Sequence, residues 1–160
     1  RQMCIRDRFV KRLIQLRHHL AGLLNPEIPH AESKVLRFDQ AGHLLRQWHG
    51  VKLGQPDWAN WSHTLAWSLN DRERGPLLWC GMNAYYQPFD FEIPRGHEPW
   101  LRVIDTAQGP DQDLPETPAR LESSGANPAS LALQSRSLVL LVAESLLGHH
   151  HGQQVNQTQA

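Results

Sequence analysis

Between Arg8 and Leu24 the apolar residues Phe9, Val10, Leu13, Ile14, Leu16, Leu20, Leu23 and Leu24 recur every three or four positions, with Lys11, Arg12, Gln15, Arg17 and His18 between them. That spacing gathers the apolar side chains on one broad face of an α-helix over 8–24, ended by Asn25-Pro26 because proline cannot continue the helical backbone. Its cationic residues are expected in solvent. A linker over 25–33 follows, after which the apolar period falls from 3.6 to 2 and strands are expected. Lys34–Phe38 and His43–Trp48 flank Asp39-Gln40-Ala41-Gly42, residues suited to a tight reversal, and predict a hairpin.

His63–Leu69 alternates Leu65, Trp67 and Leu69 against Thr64, Ala66 and Ser68, and a charged turn at 71–75 leads into Leu77–Ala84. Pro88–Pro94 alternates Phe89, Phe91 and Ile93 against Asp90 and Glu92, one face apolar and the other acidic. Trp100–Ile104 is a further strand. Residues 107–129, rich in Pro, Gly, Ser and acids, are expected as a long loop, and Ser130–Leu133 with Ser137–Val142 as the last strand pair. Seven or eight short strands separated by turns predict a mainly β chain with an antiparallel β-sandwich over 34–143. The segment 144–160 has almost nothing to bury and is expected to be a disordered tail.

A chain of 160 residues can bury one genuine core but is too short for a complete (β/α)8 barrel. Its 16 Lys and Arg balance 16 Asp and Glu, so no net charge draws nucleic acid or anionic lipid from a distance. The longest apolar run, 138–143, is far below the roughly 20 residues of a membrane-spanning helix. Two cysteines allow one disulfide at most. Cys80 falls inside an apolar strand pattern, where a free buried thiol and a reducing compartment are the expected state.

Most candidate chemistry gives way to simpler explanations. His149-His150-His151 lacks the carboxylates, thiolates and fixed geometry of a metal centre. Asp90 and Glu92 share one exposed strand face, whereas glycosidase carboxylates approach a sugar from opposite sides. They are expected to solubilise that face. Nucleophile-elbow and phosphate-loop patterns do not occur, so neither a catalytic set nor a cofactor is expected. Trp48, Trp58 and Trp61, with His49 and Asp57, crowd a stretch that Gly50, Gly54 and Pro56 keep irregular. Aromatic rings stack on the apolar faces of pyranoses while His and Asp bond hydroxyls, which makes His49, Asp57, Trp58 and Trp61 candidate glucan contacts. Otherwise these rings plug a gap against a neighbouring domain.

Trp48-His49-Gly50-Val51-Lys52-Leu53-Gly54-Gln55-Pro56-Asp57-Trp58, Ser62-His63-Thr64-Leu65-Ala66, Asn83-Ala84-Tyr85-Tyr86-Gln87-Pro88, the strand ending Ile104-Asp105-Thr106, and Arg136-Ser137-Leu138-Val139-Leu140-Leu141 occur in that order. Together they resemble the C-terminal domain of isoamylase-type glycogen- and starch-debranching enzymes of the α-amylase superfamily. Phe9–Arg17 resembles the last helix of that family's catalytic (β/α)8 barrel. The resemblance implies a cytoplasmic bacterial parent enzyme that hydrolyses α-1,6 linkages of glycogen or branched maltodextrin, using carboxylates that lie upstream of these residues. On this basis the chain is a non-catalytic C-terminal fragment, its helix packing on the missing barrel. Residues 1–7 resemble a translated adapter junction and are expected to be non-native sequence. A free-standing carbohydrate-binding module is the alternative.

Overall fold

The computed structural model describes residues 2–21, 45–121 and 129–147. One helix, α1 (Gln2–His19), precedes eight strands: β1 (Leu45–His49), β2 (Thr64–Asp71), β3 (Gly75–Asn83), β4 (Phe89–Ile93), β5 (Trp100–Asp105), β6 (Ala119–Arg120), β7 (Ala129–Leu133) and β8 (Ser137–Ala143). A single 3₁₀ turn, Glu144–Leu146, closes the described part. The strands form an antiparallel six-stranded sheet, β1-β2-β3-β8-β5-β6, faced by a two-stranded sheet, β4-β7. The antiparallel sandwich expected from the alternating pattern is therefore present.

Alternation determines the faces. Ala66, Trp79, Val139 and Leu141 of the large sheet turn inward and meet Phe91, Ile93 and Leu133 of the small one in a buried layer. Trp79 lies edge-on to Phe91, with ring centroids 6.2 Å apart. On the outer face Leu69, Leu78 and Val142 join Leu77, Val103, Ile104 and Leu114 in a second buried cluster. Register shifts at Leu69/Asn70 and Arg102/Ile104 break strict alternation there, so neighbouring residues such as Leu77 and Leu78 bury against the same layer.

Two pairings differ from expectation. β7 and β8 do not form a pair: β7 joins β4, and β8 runs between β3 and β5 at the centre of the large sheet. The three-residue link at 134–136, with Arg136 at φ 52°, carries the chain from one sheet to the other. β1 pairs with β2; the hairpin expected from 34–38 lies outside the described residues, as do the linker over 25–33, the far end of the helix pattern and the tail from residue 148. The long loop contributes β6 and the buried Leu114. Leu146 and Leu147, expected in the tail, pack on the outer cluster.

Helix α1 starts at Gln2, ahead of residue 8, and sits on the outer face of the large sheet. Phe9, Leu16 and Leu20 enter the outer cluster. Arg8 pairs with Asp113 at 2.6 Å and with Asp111 at 3.0 Å; Arg12 donates to the Leu114 carbonyl at 2.8 Å and pairs with Glu116. Arg12 thus anchors the helix to the 111–116 loop instead of lying free in solvent. The apolar arc is wider than this seat, however. Val10, Leu13 and Ile14 remain 52, 40 and 50 % exposed on its flank.

Candidate glucan-binding end of the sandwich

β1 ends at His49, β2 begins at Thr64 and β3 ends at Asn83, and these ends are joined in register: His49 faces Ala66 and Thr64 faces Asn83. The loops 50–63 and 84–88 therefore leave the same end of the large sheet. The Ala84 N–H donates to the His63 carbonyl, 2.8 Å, and His63 stacks on Tyr85, 5.5 Å between centroids.

Each loop is held by a buried polar residue at its root. His49 is 1 % exposed because alternation along β1 turns it inward beside Ala66. Its Nδ1 accepts the Gly54 N–H at 2.8 Å, which assigns the ring proton to Nε2, directed at Ser68 Oγ 3.0 Å away. Gly54 itself has φ 68°, a left-handed conformation that glycine adopts without a Cβ penalty. Asn83, also 1 % exposed, plays the corresponding part for the second loop. Its Nδ2 reaches the carbonyls of Gln87, Leu133 and Gln134 at 2.8, 3.3 and 3.0 Å, and its Oδ1 accepts the Tyr85 N–H at 3.0 Å.

Glu92 completes the first loop. Its Oε2 accepts the Leu53 N–H at 3.0 Å, and its own N–H donates to the Val51 carbonyl at 2.8 Å. The acidic face expected on β4 is thus divided: Asp90 is exposed, whereas Glu92 is half-buried and ties the small sheet to the loop. Sequence patterning missed Asn83, Ser68 and Glu92 as loop anchors. The usable signal was a polar side chain on the inward parity of an otherwise apolar strand, as with Ser68 and Asn83.

The rings these anchors position are open to solvent. Trp58, Trp61 and Trp48 are 64, 75 and 39 % exposed, and Tyr86 62 %. Trp48 and Trp58 meet edge to face at 5.6 Å and 73°; Tyr86 lies 4.3 Å from Tyr85. Asp57 is exposed, and its Oδ1 accepts the Ala59 N–H at 3.0 Å, shaping the turn between Trp58 and Trp61. Of the four candidate contacts, Trp58, Trp61 and Asp57 are exposed on the 50–63 loop. His49 lies beneath it with both ring nitrogens engaged, so it positions the loop and does not itself face a ligand.

Burial lowers the His49 pKa from its ordinary value of 6.5. The neutral ring is the form that accepts from Gly54, so its contribution is intact above the unfolded-state pKa and is lost as pH falls through the lower folded-state value. The thermal unfolding temperature should accordingly fall below about pH 6.5, with a shallower fall in His49→Gln, which has no titrating ring at that position. Equal slopes in the two proteins would remove His49 as the origin.

Cys80 is free and buried, and burial pushes its thiol up to about 12, so it remains protonated and unreactive. Among the described residues no group of three or more His, Cys, Asp or Glu is placed to hold a metal ion, and no helix is long and apolar enough to cross a membrane. The family of the isoamylase 1-3 C-terminal domain matches residues 47–141, from within β1 to within β8, with the aromatic end inside the match. A search of curated proteins returns no match.

Proposed function

The chain belongs to the isoamylase 1-3 C-terminal domain family, and from that membership we propose that it is the non-catalytic C-terminal part of a bacterial cytoplasmic hydrolase that cleaves α-1,6 branch linkages of glycogen or branched maltodextrin. Family membership over more than half of the chain carries the proposal. The carboxylates lend support. A glycosidase needs two of them about 5 to 9.5 Å apart across the scissile bond, and here five acids are committed to the fold. Glu92 holds Leu53; Asp113 and Glu116 pair with Arg8 and Arg12; Glu98 pairs with Arg74 and accepts the Ser145 N–H. Asp105 receives Arg102, Gln108 and Ala107.

The helix supplies the second support. Its inner side is seated on the large sheet, while Val10, Leu13 and Ile14 present an aliphatic flank to solvent. A free-standing sugar-binding module has no use for such a flank. A helix shared between this domain and a catalytic barrel does, because each exposed aliphatic side chain gains about 1.5 to 3 kcal/mol when buried fully. On this proposal the flank is where the barrel packs.

Two measurements test the assignment. The purified chain should release no linear chains from amylopectin and should self-associate in sedimentation, with Val10→Glu combined with Ile14→Glu restoring the monomer. The coding sequence upstream should specify a barrel bearing an Asp nucleophile and a Glu acid/base. Branch cleavage by this chain alone, or an upstream sequence that specifies no barrel, would overturn the proposal.

A further inference from the structure

Two exposed apolar surfaces remain on the described residues, and their chemistry differs. The helix flank exposes branched aliphatic side chains, Val10, Leu13 and Ile14 at three- and four-residue spacing, with the exposed Arg17 one turn on from Leu13 and Ile14. Packing against a protein wall suits it, because branched aliphatic side chains interdigitate. The end of the sandwich instead exposes aromatic rings separated by polar side chains: Trp58, Trp61 and Tyr86 stand open, with Asp57 and Asn60 exposed between the tryptophans and Gln87 exposed beside the tyrosine. Residues 50–63 contain one lysine and one aspartate, so no charged ligand is selected. Flat apolar faces bordered by hydrogen-bonding groups match a neutral pyranose, which carries C–H faces and an equatorial rim of hydroxyls.

The surface is also built in advance. His49, Glu92 and Asn83 fix both loops from beneath through bonds of 2.8 to 3.3 Å, so little loop ordering remains to oppose binding. The 73° angle between Trp48 and Trp58 forms a corner, not a flat plate: one ring can stack on a sugar face while the other borders its edge. Trp61 and Tyr86 each lie within two residues of the stacked His63–Tyr85 pair, which carries the aromatic surface from the first loop onto the second. That extension suits several linked sugar units.

We infer that this end of the sandwich binds an α-glucan chain, with Trp58 as the principal stacking ring and Trp61 as a second. The choice of glucose polymer rests on the debranching proposal; the presence of a sugar face rests on the geometry alone. The residues involved bind and do not catalyse, so the face would hold a branch or its parent chain near the barrel.

The test uses the 160-residue chain and maltoheptaose. Millimolar maltoheptaose should quench tryptophan fluorescence and shift the indole N–H signals of Trp58 and Trp61 in NMR spectra. Trp58→Ala should abolish the quenching, Trp61→Ala should weaken it, and Trp58→Tyr should retain part of it, with unchanged thermal unfolding showing that each variant is folded. Cellohexaose should bind more weakly. Equal binding of cellohexaose would overturn the α-glucan assignment. An unchanged spectrum at millimolar maltoheptaose, or burial of Trp58 by a second copy as protein concentration rises, would overturn the sugar face itself. Either failure leaves the upstream coding sequence as an independent check of the debranching proposal.

Discussion

Trp79→Ala should lower the unfolding free energy by about 3 to 5 kcal/mol, the usual range for removing a large buried aromatic side chain. Trp79 is fully buried and reaches from β3 of the large sheet to Phe91 of the small sheet. Its ring also lies over Gly81, where an added Cβ would stand 2.4 Å from the ring and 2.9 Å from Leu133. The cavity left by alanine would open between the two layers, beside Phe91 and Leu133 of the two-stranded β4-β7 sheet. Its indole Nε1 is buried with no hydrogen-bond partner among the described residues, so the ring's contribution is packing without a polar bond. Trp79→Phe should therefore cost less than half as much, since it keeps most of the contact and removes an unpaired donor. Denaturant titration of both variants reads the difference. A loss within about 1 kcal/mol of wild type for Trp79→Ala, outside the range for such a substitution, would mean that the layers are held together elsewhere.

That dependence on one interlayer ring also shows what the sequence could convey. The alternation of Phe89, Phe91 and Ile93 against Asp90 and Glu92 correctly marks which side of β4 is apolar, because side-chain parity is a local property of extended backbone. It carries no information on the partner. β7 and β8 are separated by three residues and still lie in different sheets, a choice made by tertiary packing of Leu133 and Leu141 across the interlayer space. Helix periodicity likewise identified an apolar face but not its division. Phe9, Leu16 and Leu20 go to the sheet, whereas Val10, Leu13 and Ile14 stay out; the width of the arc was readable, and its seat on the chain's own sheet was not.

At the aromatic end, Gly50, Gly54 and Pro56 correctly marked Trp58 and Trp61 as loop residues. His49 was legible only as a polar neighbour of theirs. Parity along β1 turns it inward, where a Ser68 hydroxyl and a Gly54 amide await it, and that parity depends on the pairing of β1 with β2. Asn83 falls within a recognisable block, but its part as anchor depends on the return of Gln134 in the link after β7. Residues whose task is to be exposed can be read locally. Those that hold them in place are identified by contacts distant in the chain.

Gly50→Ala should disable the sugar face while leaving most of the sandwich intact. A Cβ at Gly50 would lie 2.5 Å from the Gln55 carbonyl oxygen, a backbone atom that cannot rotate away as a side chain would. The Gly50 N–H also donates to the Lys52 carbonyl at 3.2 Å, and the Gln55 N–H to the same carbonyl at 3.3 Å, so the loop closes tightly around this point. Relief requires the 50–55 turn to open, which moves Gly54 from His49 and Leu53 from Glu92. Such overpacking costs about 1 to 3 kcal/mol. Because the cost falls on the loop's competent conformation, maltoheptaose affinity should drop by about 5- to 150-fold, at 1.4 kcal/mol per factor of ten. Hydrogen exchange separates the local effect from a global one: the Gly54 and Leu53 amides should lose protection, while those of β3 and β8 at the centre of the large sheet should keep theirs. Retained affinity with protected Gly54 would show that the turn accommodates the methyl group and that its tight closure is not what orients Trp58.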